Sequence, residues 1–264
     1  MTQLLRIEWL KLKHYGTFWI MTLLFTVLLT VFYLSIGLGW INIGAGGISI
    51  FSKAGSFSGI WDDLCFFASY FVIALAILMA IITTNEYQYR TNRQNVIDGW
   101  TRMQCYHVKW QLVFALSIGT TLFTFLLGAL SGLLSGLPLS TLFDNSEKLF
   151  YLFILCLNYL GFALLLSLLF RRSGLTIGIL MFYSMMLEMI LHALFLFKYK
   201  FPPGDLFLPL QCSDELLPSN PSRMLKMTLR SEINPGNWVY VTVTIAWLLV
   251  YYFAGRARLA KSDW

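Results

Sequence analysis

The sequence predicts an all-α membrane protein with six transmembrane helices, an N-terminal amphipathic interfacial helix and a short helix in a cytoplasmic loop. Two observations lead to this class. Of the 264 residues, 58% are hydrophobic and only 12% are charged, whereas soluble domains carry about 25% charged residues. The apolar residues also form long blocks, and about 20 such residues cross a hydrocarbon core. Residues 1–264 are therefore expected to form one transmembrane domain.

Residues 1–16 precede the first apolar block and are predicted to form an interfacial helix. Leu5, Trp9 and Leu12 recur at spacings of four and three, and the basic residues lie off this stripe. A Trp ring and cations are both favoured at headgroup depth, beside anionic lipid. An ordinary membrane-proximal flank is the alternative.

Six apolar blocks are long enough to be considered as membrane spans. The first block is too long for a signal peptide and has no A-x-A cleavage site, so it is expected to be retained. The predicted spans are Thr17–Leu38, Leu64–Thr84, Trp110–Leu134, Leu149–Phe170, Leu175–Phe197 and Trp238–Phe253.

The distribution of lysine and arginine predicts the orientation. Twelve of the 19 basic residues fall on the side of the termini and seven on the other side. The positive-inside rule therefore places both termini in the cytoplasm. Basic residues that cluster at the ends of apolar blocks also exclude nucleic acid as a partner, although the net charge is +6.

The four cysteines show neither C-x-x-C spacing nor a metal-binding pattern. Cys65 and Cys212 are predicted on the same outer side. They either form a disulfide or remain buried or free thiols.

The cytoplasmic loop at 85–109 contains a short helix with clear boundaries. Thr91 and Gln94 have the T-x-x-Q spacing of a capping box, and Gly99 can end the helix in the left-handed conformation. A second T-x-x-Q pair, Thr101 and Gln104, predicts the start of the next helix.

The same loop carries apolar side chains in a helical pattern. Val96, Ile97, Trp100 and Met103 lie at positions i, i+1, i+4 and i+7. A helix of about seven residues is not stable alone in water, so these side chains need a cover. Either a partner docks on them, or the loop folds back onto the membrane interface.

Three stretches carry a resemblance to a known family: the amphipathic residues 4–13 leading into the first span, 86–91 (Glu-Tyr-Gln-Tyr-Arg-Thr), and 99–102 (Gly-Trp-Thr-Arg). They are similar to permease subunits of type-2 ABC exporters. The resemblance implies a coupling helix that docks into a separate ATPase subunit, and a bacterial cytoplasmic (inner) membrane location. It implies these coupling residues: Glu86, Arg90, Thr91, Arg93, Val96, Ile97, Gly99, Trp100 and Arg102.

An exporter needs an energy source, and this chain carries no G-x-x-x-x-G-K-[ST] phosphate-binding motif. The chain is therefore not expected to be an enzyme or to bind a cofactor itself. The resemblance implies that ATP and Mg bind to a partner cytoplasmic ABC ATPase. It also implies a second permease chain, as homodimer or heterodimer, beside the lipid bilayer.

One polar stripe is predicted within the fifth span. Ser184, Glu188 and His192 fall at i, i+4 and i+8, hence on one helix face. A carboxylate at membrane depth is costly unless it has a partner, so it is a functional-site hypothesis by default. The resemblance implies that the second and fifth helices line the pathway. Either this stripe faces that pathway, or Glu188 is hydrogen-bonded within one subunit.

The segment 198–236 is predicted to be an extracytoplasmic loop whose leucine-rich pieces, around Leu208 and Leu216, dip into the interface or cap the pathway. Gly128, Gly132 and Gly136 repeat every four residues and allow close helix packing, either within one subunit or across a dimer.

Other functions stay open at this point. A proton-coupled secondary transporter would use Glu188 as its relay. A non-transporting membrane scaffold would only bind an ATPase. A membrane-embedded hydrolase is disfavoured because H-E-x-x-H and G-x-S-x-G are absent. The transported substrate is not predicted, although the methionine-rich fifth span suits an amphiphile.

Overall fold

The computed structural model describes residues 2–37, 44–45, 48–49, 56–97, 99–198, 202–217 and 236–260. Within them, six helices are long and apolar enough to cross a membrane. They are named spans 1 to 6 in chain order: Gly16–Gly37, Phe57–Gln88, Arg102–Leu134, Glu147–Phe170, Ser173–Ala193 and Asn237–Ala260. The protein is therefore an all-α membrane protein, as the composition and the apolar blocks predict.

Smaller elements connect the spans. The N-terminal helix, Thr2–Lys13, precedes span 1, and the loop helix, Thr91–Ile97, joins spans 2 and 3. Two strands of two residues pair antiparallel between spans 1 and 2. The remaining elements are the strands Gly44–Ala45 and Ile48–Ser49, the 3₁₀ turns Leu139–Thr141 and Pro202–Phe207, and the short helix Gln211–Asp214.

Spans 2, 3 and 6 are longer than the sequence predicts. Span 2 has 32 residues and span 3 has 33, because both helices continue into polar residues beyond the apolar block. A capping box starts span 3, with the backbone N–H of Thr101 donating to Gln104 at 2.8 Å and the Gln104 N–H donating back at 3.2 Å. Caps, rather than hydropathy, therefore set these boundaries.

Span 4 lies at the centre of the bundle and is buried along most of its length, whereas spans 1 and 5 are mostly exposed. Span 2 packs most extensively on span 4, and spans 3 and 6 also contact it. Leu152, Leu155 and Leu160 of span 4 are completely buried in this core. The broad apolar surfaces of spans 1 and 5 are left for lipid or for another chain.

Two glycines of span 3 bring it close to span 2. A Cβ on Gly128 would clash with the Trp61 ring, and one on Gly132 would clash with the Phe57 ring. The indole N–H of Trp61 also donates to the carbonyl of Leu142 at 3.0 Å. Gly128 and Gly132 thus serve close packing within the chain, whereas Gly136 lies beyond the end of span 3 and a Cβ there would meet nothing within 4 Å.

Span 5 is not one regular α-helix. It consists of an α-helix at Ser173–Phe182, a π-helical turn at Tyr183–Leu187 and a second α-helix at Glu188–Ala193. A further π turn follows at Leu194–Lys198. Wide π turns shift the register of a helix and often mark functional sites.

Residues 202–217, here called the inserted segment, turn back into the bundle. The side-chain amide of Asn158 donates to the carbonyl of Pro209 at 2.7 Å and to the hydroxyl of Ser213 at 2.9 Å. Asn158 follows the first residue of span 4 by 11 positions, about 16 Å along the helix. Leu210 and Leu216 of this segment are buried, and the expectation that its leucine-rich pieces dip into the interface or cap the pathway stays a prediction. Residues 218–235 of the predicted loop lie outside the described part.

All four cysteines are buried free thiols. The proposed pairing of Cys65 with Cys212 is therefore absent from the structure, and the alternative of buried thiols holds. Burial raises the pKa of Cys212, which lies outside the spans, to about 12, so this thiol is not reactive at neutral pH.

Candidate functional site

The loop helix is held between two well-defined turns. Arg90, at φ 57°, adopts the left-handed conformation that separates span 2 from this helix, and the Thr91 hydroxyl donates to the carbonyl of Glu86 at 3.4 Å. At the other end, Gly99 is also left-handed, at φ 90°, and the Trp100 N–H donates to the carbonyl of Asn95 at 3.0 Å. The helix end predicted at Gly99 is confirmed.

The loop helix presents apolar side chains outward. Ile97 is 76% exposed and Val96 is 40% exposed. Trp100 is half-buried, and Met103 packs against the bundle core. Of the four apolar side chains in the predicted pattern, only Val96 and Ile97 are therefore exposed enough to contact a partner. Arg90, Thr91 and Arg102 are exposed around it, while the side chain of Arg93 lies outside the described atoms.

A cluster of charged side chains lies beside the loop helix; it consists of the buried Glu8 and Lys109, the partly buried Glu86 and the exposed Lys11. The Lys109 ammonium donates to Glu8 at 2.9 Å and also to Glu86. Lys11 pairs with Glu8 at 3.0 Å and lies 4.0 Å from Glu86. Two carboxylates and two ammonium groups balance, and this neutrality makes burial of the charges affordable.

The electrostatics of Glu8 follow from this arrangement. Burial disfavours its charged form, but the positive charges of Lys109 and Lys11 and their hydrogen bonds outweigh that effect. The pKa of Glu8 is therefore below its ordinary value, and this carboxylate is ionised at neutral pH.

The charged cluster joins four parts of the chain. Glu8 and Lys11 belong to the N-terminal helix, Glu86 to the end of span 2, and Lys109 to the start of span 3. Lys11 also donates to the side chain of Asn95 in the loop helix at 3.5 Å, and its Nζ lies 5.8 Å from the centre of the Trp100 ring. The loop helix is thereby connected to spans 2 and 3 through the N-terminal helix.

Sequence reasoning found only part of this cluster. It selected Glu86 from the family resemblance, but treated Glu8, Lys11 and Lys109 only as charges flanking the membrane. The available signal was Lys109 itself, since a lysine eight residues into a long helix and beside Trp110 needs a carboxylate partner.

The second candidate region lies at the opposite end of the bundle, around span 5. Glu188 is 2% exposed, and its Oε1 accepts a hydrogen bond from the backbone N–H of Leu210 at 2.7 Å. His192 is also buried, whereas Ser184 is half-buried and its hydroxyl donates to the carbonyl of Met181 at 3.4 Å. Glu188 thus fixes the inserted segment to span 5, as the intrachain alternative requires.

A cavity of about 420 Å³ lies between spans 2, 4 and 5 and the inserted segment. Of the predicted pathway stripe, only Ser184 lines it. Asp214 reaches this cavity and accepts from the hydroxyl of Tyr159, which lies 3.0 and 3.1 Å from its two carboxylate oxygens. The lining that matters below consists of Tyr70, Tyr159, Ser184, Met185, Met189 and Asp214.

Comparison with known protein families identifies a family model that matches most of the chain. The family model described as ABC-2 family transporter protein matches residues 4–187, which include the N-terminal helix, the loop helix and most of span 5. Among curated proteins, no match to the chain is found.

Proposed function

Because the chain belongs to the ABC-2 transporter family, we propose that it is the membrane-spanning permease subunit of an ATP-driven exporter. In this role the chain forms the translocation pathway and couples to a separate cytoplasmic ATPase subunit. The observation that carries the proposal is the loop helix. Its Ile97 is exposed, and the neighbouring charged cluster connects this helix to spans 2 and 3.

Docking of the ATPase on the loop helix is supported by the apolar side chains that this helix exposes. It has seven residues, too few for stability alone, and it presents Val96 and Ile97 outward while Asn95 and Trp100 face Lys11. One side is thus held by the protein and the other is free. An apolar cleft on the ATPase surface is the complement that these two side chains require.

The charged cluster supplies a route from the docking surface to the membrane. When the ATPase closes on ATP and pushes the loop helix, Asn95 and Trp100 press on Lys11. Glu8 and Lys109 transmit the displacement. Separating these two buried charges would leave each of them without its partner, which is costly, so the helices that carry them stay in contact. The N-terminal helix and the ends of spans 2 and 3 are therefore expected to move as one unit.

The orientation follows from the partner. An ATPase requires cytoplasmic ATP and Mg, so the end with the loop helix and both termini faces the cytoplasm, in agreement with the excess of basic residues there. The chain is assigned to the bacterial cytoplasmic membrane. A second permease chain is expected to complete the assembly.

The rival function, a secondary transporter that relays protons through Glu188, has less support. The Glu188 carboxylate accepts from the Leu210 backbone N–H, an interaction that holds the inserted segment in place and does not require proton transfer. The geometry thus favours a positioning role for Glu188.

The test is affinity purification of the tagged chain from native membranes, followed by measurement of ATP hydrolysis in the eluate. The wild type is compared with Ile97→Asp, and with Leu139→Asp as a matched control. Leu139 is 64% exposed in a turn at the opposite end, so its replacement adds the same charge far from the loop helix.

We expect an ABC ATPase and its activity to accompany the wild type and the Leu139→Asp variant, and both to be lost from Ile97→Asp. If no nucleotide-hydrolysing partner accompanies the wild type in mild detergent, the exporter assignment is wrong. If the ATPase remains bound to Ile97→Asp, the docking surface lies elsewhere on the chain.

A further inference from the structure

We propose that the cavity beside Asp214 binds an organic cation with an apolar body. That this occupant is a transported substrate rests on the proposed export function, but its binding does not. The inference stands on the carboxylate in the cavity, the side chains that form its walls and its volume.

The first argument is the state of the Asp214 carboxylate. Among the described residues, its two oxygens accept a single phenol proton, from Tyr159, so most of their hydrogen-bonding capacity is open to a ligand. In the part of the chain that the structure describes, no lysine, arginine or histidine forms an ion pair with Asp214. A positively charged ligand would supply the missing countercharge.

The surroundings strengthen the preference for a cation. Two more carboxyl groups, those of Glu188 and Glu215, interact electrostatically with Asp214. Glu188 is fixed to the Leu210 backbone, and Glu215 accepts from the side-chain amide of Gln211 at 3.1 Å. Ionisation of either neighbour would raise the negative potential at Asp214 and so strengthen its attraction for a cation.

The walls are suited to an apolar, polarisable body. Tyr70 of span 2 and Met185 and Met189 of span 5 all line the cavity. Aromatic faces attract cations, and flexible thioethers adapt to ligands of different shape. A volume of about 420 Å³ is within the range of small-molecule sites.

Access is provided by the same side chains. Tyr70, Met185 and Met189 are 55%, 58% and 71% exposed, so the cavity opens on the face that spans 2 and 5 share. A cationic amphiphile can enter there with its charge toward Asp214 and its apolar part against span 5.

The experiment compares two probes of nearly equal shape and opposite charge, tetraphenylphosphonium and tetraphenylborate. The full chain is purified into phosphatidylcholine nanodiscs, and equilibrium binding of each probe is measured at pH 8, with subtraction of empty nanodiscs. The variants are Asp214→Asn, in which the amide oxygen still accepts from Tyr159, and Asp144→Asn as the matched control. Asp144 is an exposed aspartate outside the cavity.

We expect saturable tetraphenylphosphonium binding to the wild type and to Asp144→Asn, and an affinity lower by about tenfold or more in Asp214→Asn. Tetraphenylborate should bind no more weakly to Asp214→Asn than to the wild type. Equal tetraphenylphosphonium affinity in the wild type and Asp214→Asn would overturn the proposal. A parallel loss of both probes would indicate that the cavity has collapsed in Asp214→Asn, and the decision then rests on the second variant.

A second variant keeps the test decisive if Asp214→Asn does not fold. Met185→Lys leaves Asp214 intact and places a permanent cation at the exposed cavity wall, so it should weaken tetraphenylphosphonium and strengthen tetraphenylborate. Unchanged affinities would contradict the proposal. The binding assay contains no ATPase, so a negative result there would contradict only the cation site. The export function is tested separately by the purification with Ile97→Asp.

Discussion

The ammonium of Lys109 and the carboxylate of Glu8 lie 2.9 Å apart and are both buried, although the two residues are 101 positions apart in the sequence. This contact fixes the N-terminal helix to the start of span 3. Since Lys109 also donates to Glu86, one buried cation orders three separate segments at the end of the bundle where the loop helix lies.

Replacing Lys109 tests this arrangement. Lys109→Met leaves Glu8 and Glu86 buried around an apolar side chain, and breaking a buried pair in this way costs about 3–5 kcal/mol of the free energy of unfolding. We expect a marked drop in the thermal unfolding temperature in detergent. Lys11→Met is the matched control, because the Lys11 side chain is 39% exposed and such pairs contribute about 1 kcal/mol or less. Equal destabilisation by the two variants would contradict a central role for Lys109.

The same cluster predicts a dependence of stability on pH. The pKa of Glu8 is lowered in the folded protein, so its contribution to stability is fully present above its unfolded value, near 4.5, and is lost as pH falls through the folded value. Urea unfolding of the wild type should therefore become easier as the pH drops below about 4.5.

Glu8→Gln is the control for this titration. It should be less stable than the wild type at pH 7 and should lose less stability on acidification, because the titrating group is absent. Parallel stability curves for the two proteins would assign the acid sensitivity to other carboxyl groups.

Much of the architecture is predictable from local signals. Long apolar blocks identify six spans, and T-x-x-Q spacing identifies the start of span 3 at Thr101 because both partners of a capping box lie within four residues. Gly99 and Gly128 are likewise recognisable, one as a left-handed helix end and the other as a close approach.

Contacts between distant segments are not predictable in this way. Nothing local in the sequence indicates that Glu8 meets Lys109, or that the Glu188 carboxylate accepts from Leu210. The π turn at Tyr183–Leu187 also escapes prediction, because an i, i+4, i+8 pattern assumes a regular helix. Asp214 was missed for the same reason, since only the inserted segment's fold brings it to Tyr159.

Close packing of spans 2 and 3 gives a third prediction. Gly128→Ala places a methyl group against the Trp61 ring, and such overpacking costs about 1–3 kcal/mol of unfolding free energy. Gly119→Ala, in the same span, is the control because a Cβ there meets nothing within 4 Å. Gly119→Ala should be neutral or slightly stabilising, as alanine favours helix by about 1 kcal/mol. The comparison is made by thermal unfolding in one detergent, and equal effects would refute the close contact.

The cation site gives a prediction about pH. Burial raises the pKa of Asp214 to about 7, while the Tyr159 hydrogen bond opposes this rise and Glu215 adds to it. Below pH 7 the carboxyl group is mostly protonated and neutral, so tetraphenylphosphonium should bind more weakly. From pH 8 to pH 6 the ionised fraction falls by about tenfold, and the affinity should fall in proportion.

The controls for this pH effect identify the titrating group. Tyr159, Tyr70, Glu188 and Glu215 all interact with Asp214, so each is a possible source of pH dependence. In Asp214→Asn the affinity for tetraphenylphosphonium should be nearly constant between pH 6 and pH 8. In the wild type, tetraphenylborate should bind better at pH 6, because protonation removes a repelling charge. A pH profile that survives in Asp214→Asn would assign the titration to a neighbouring group, and a flat profile in the wild type would mean that Asp214 does not contact the cation.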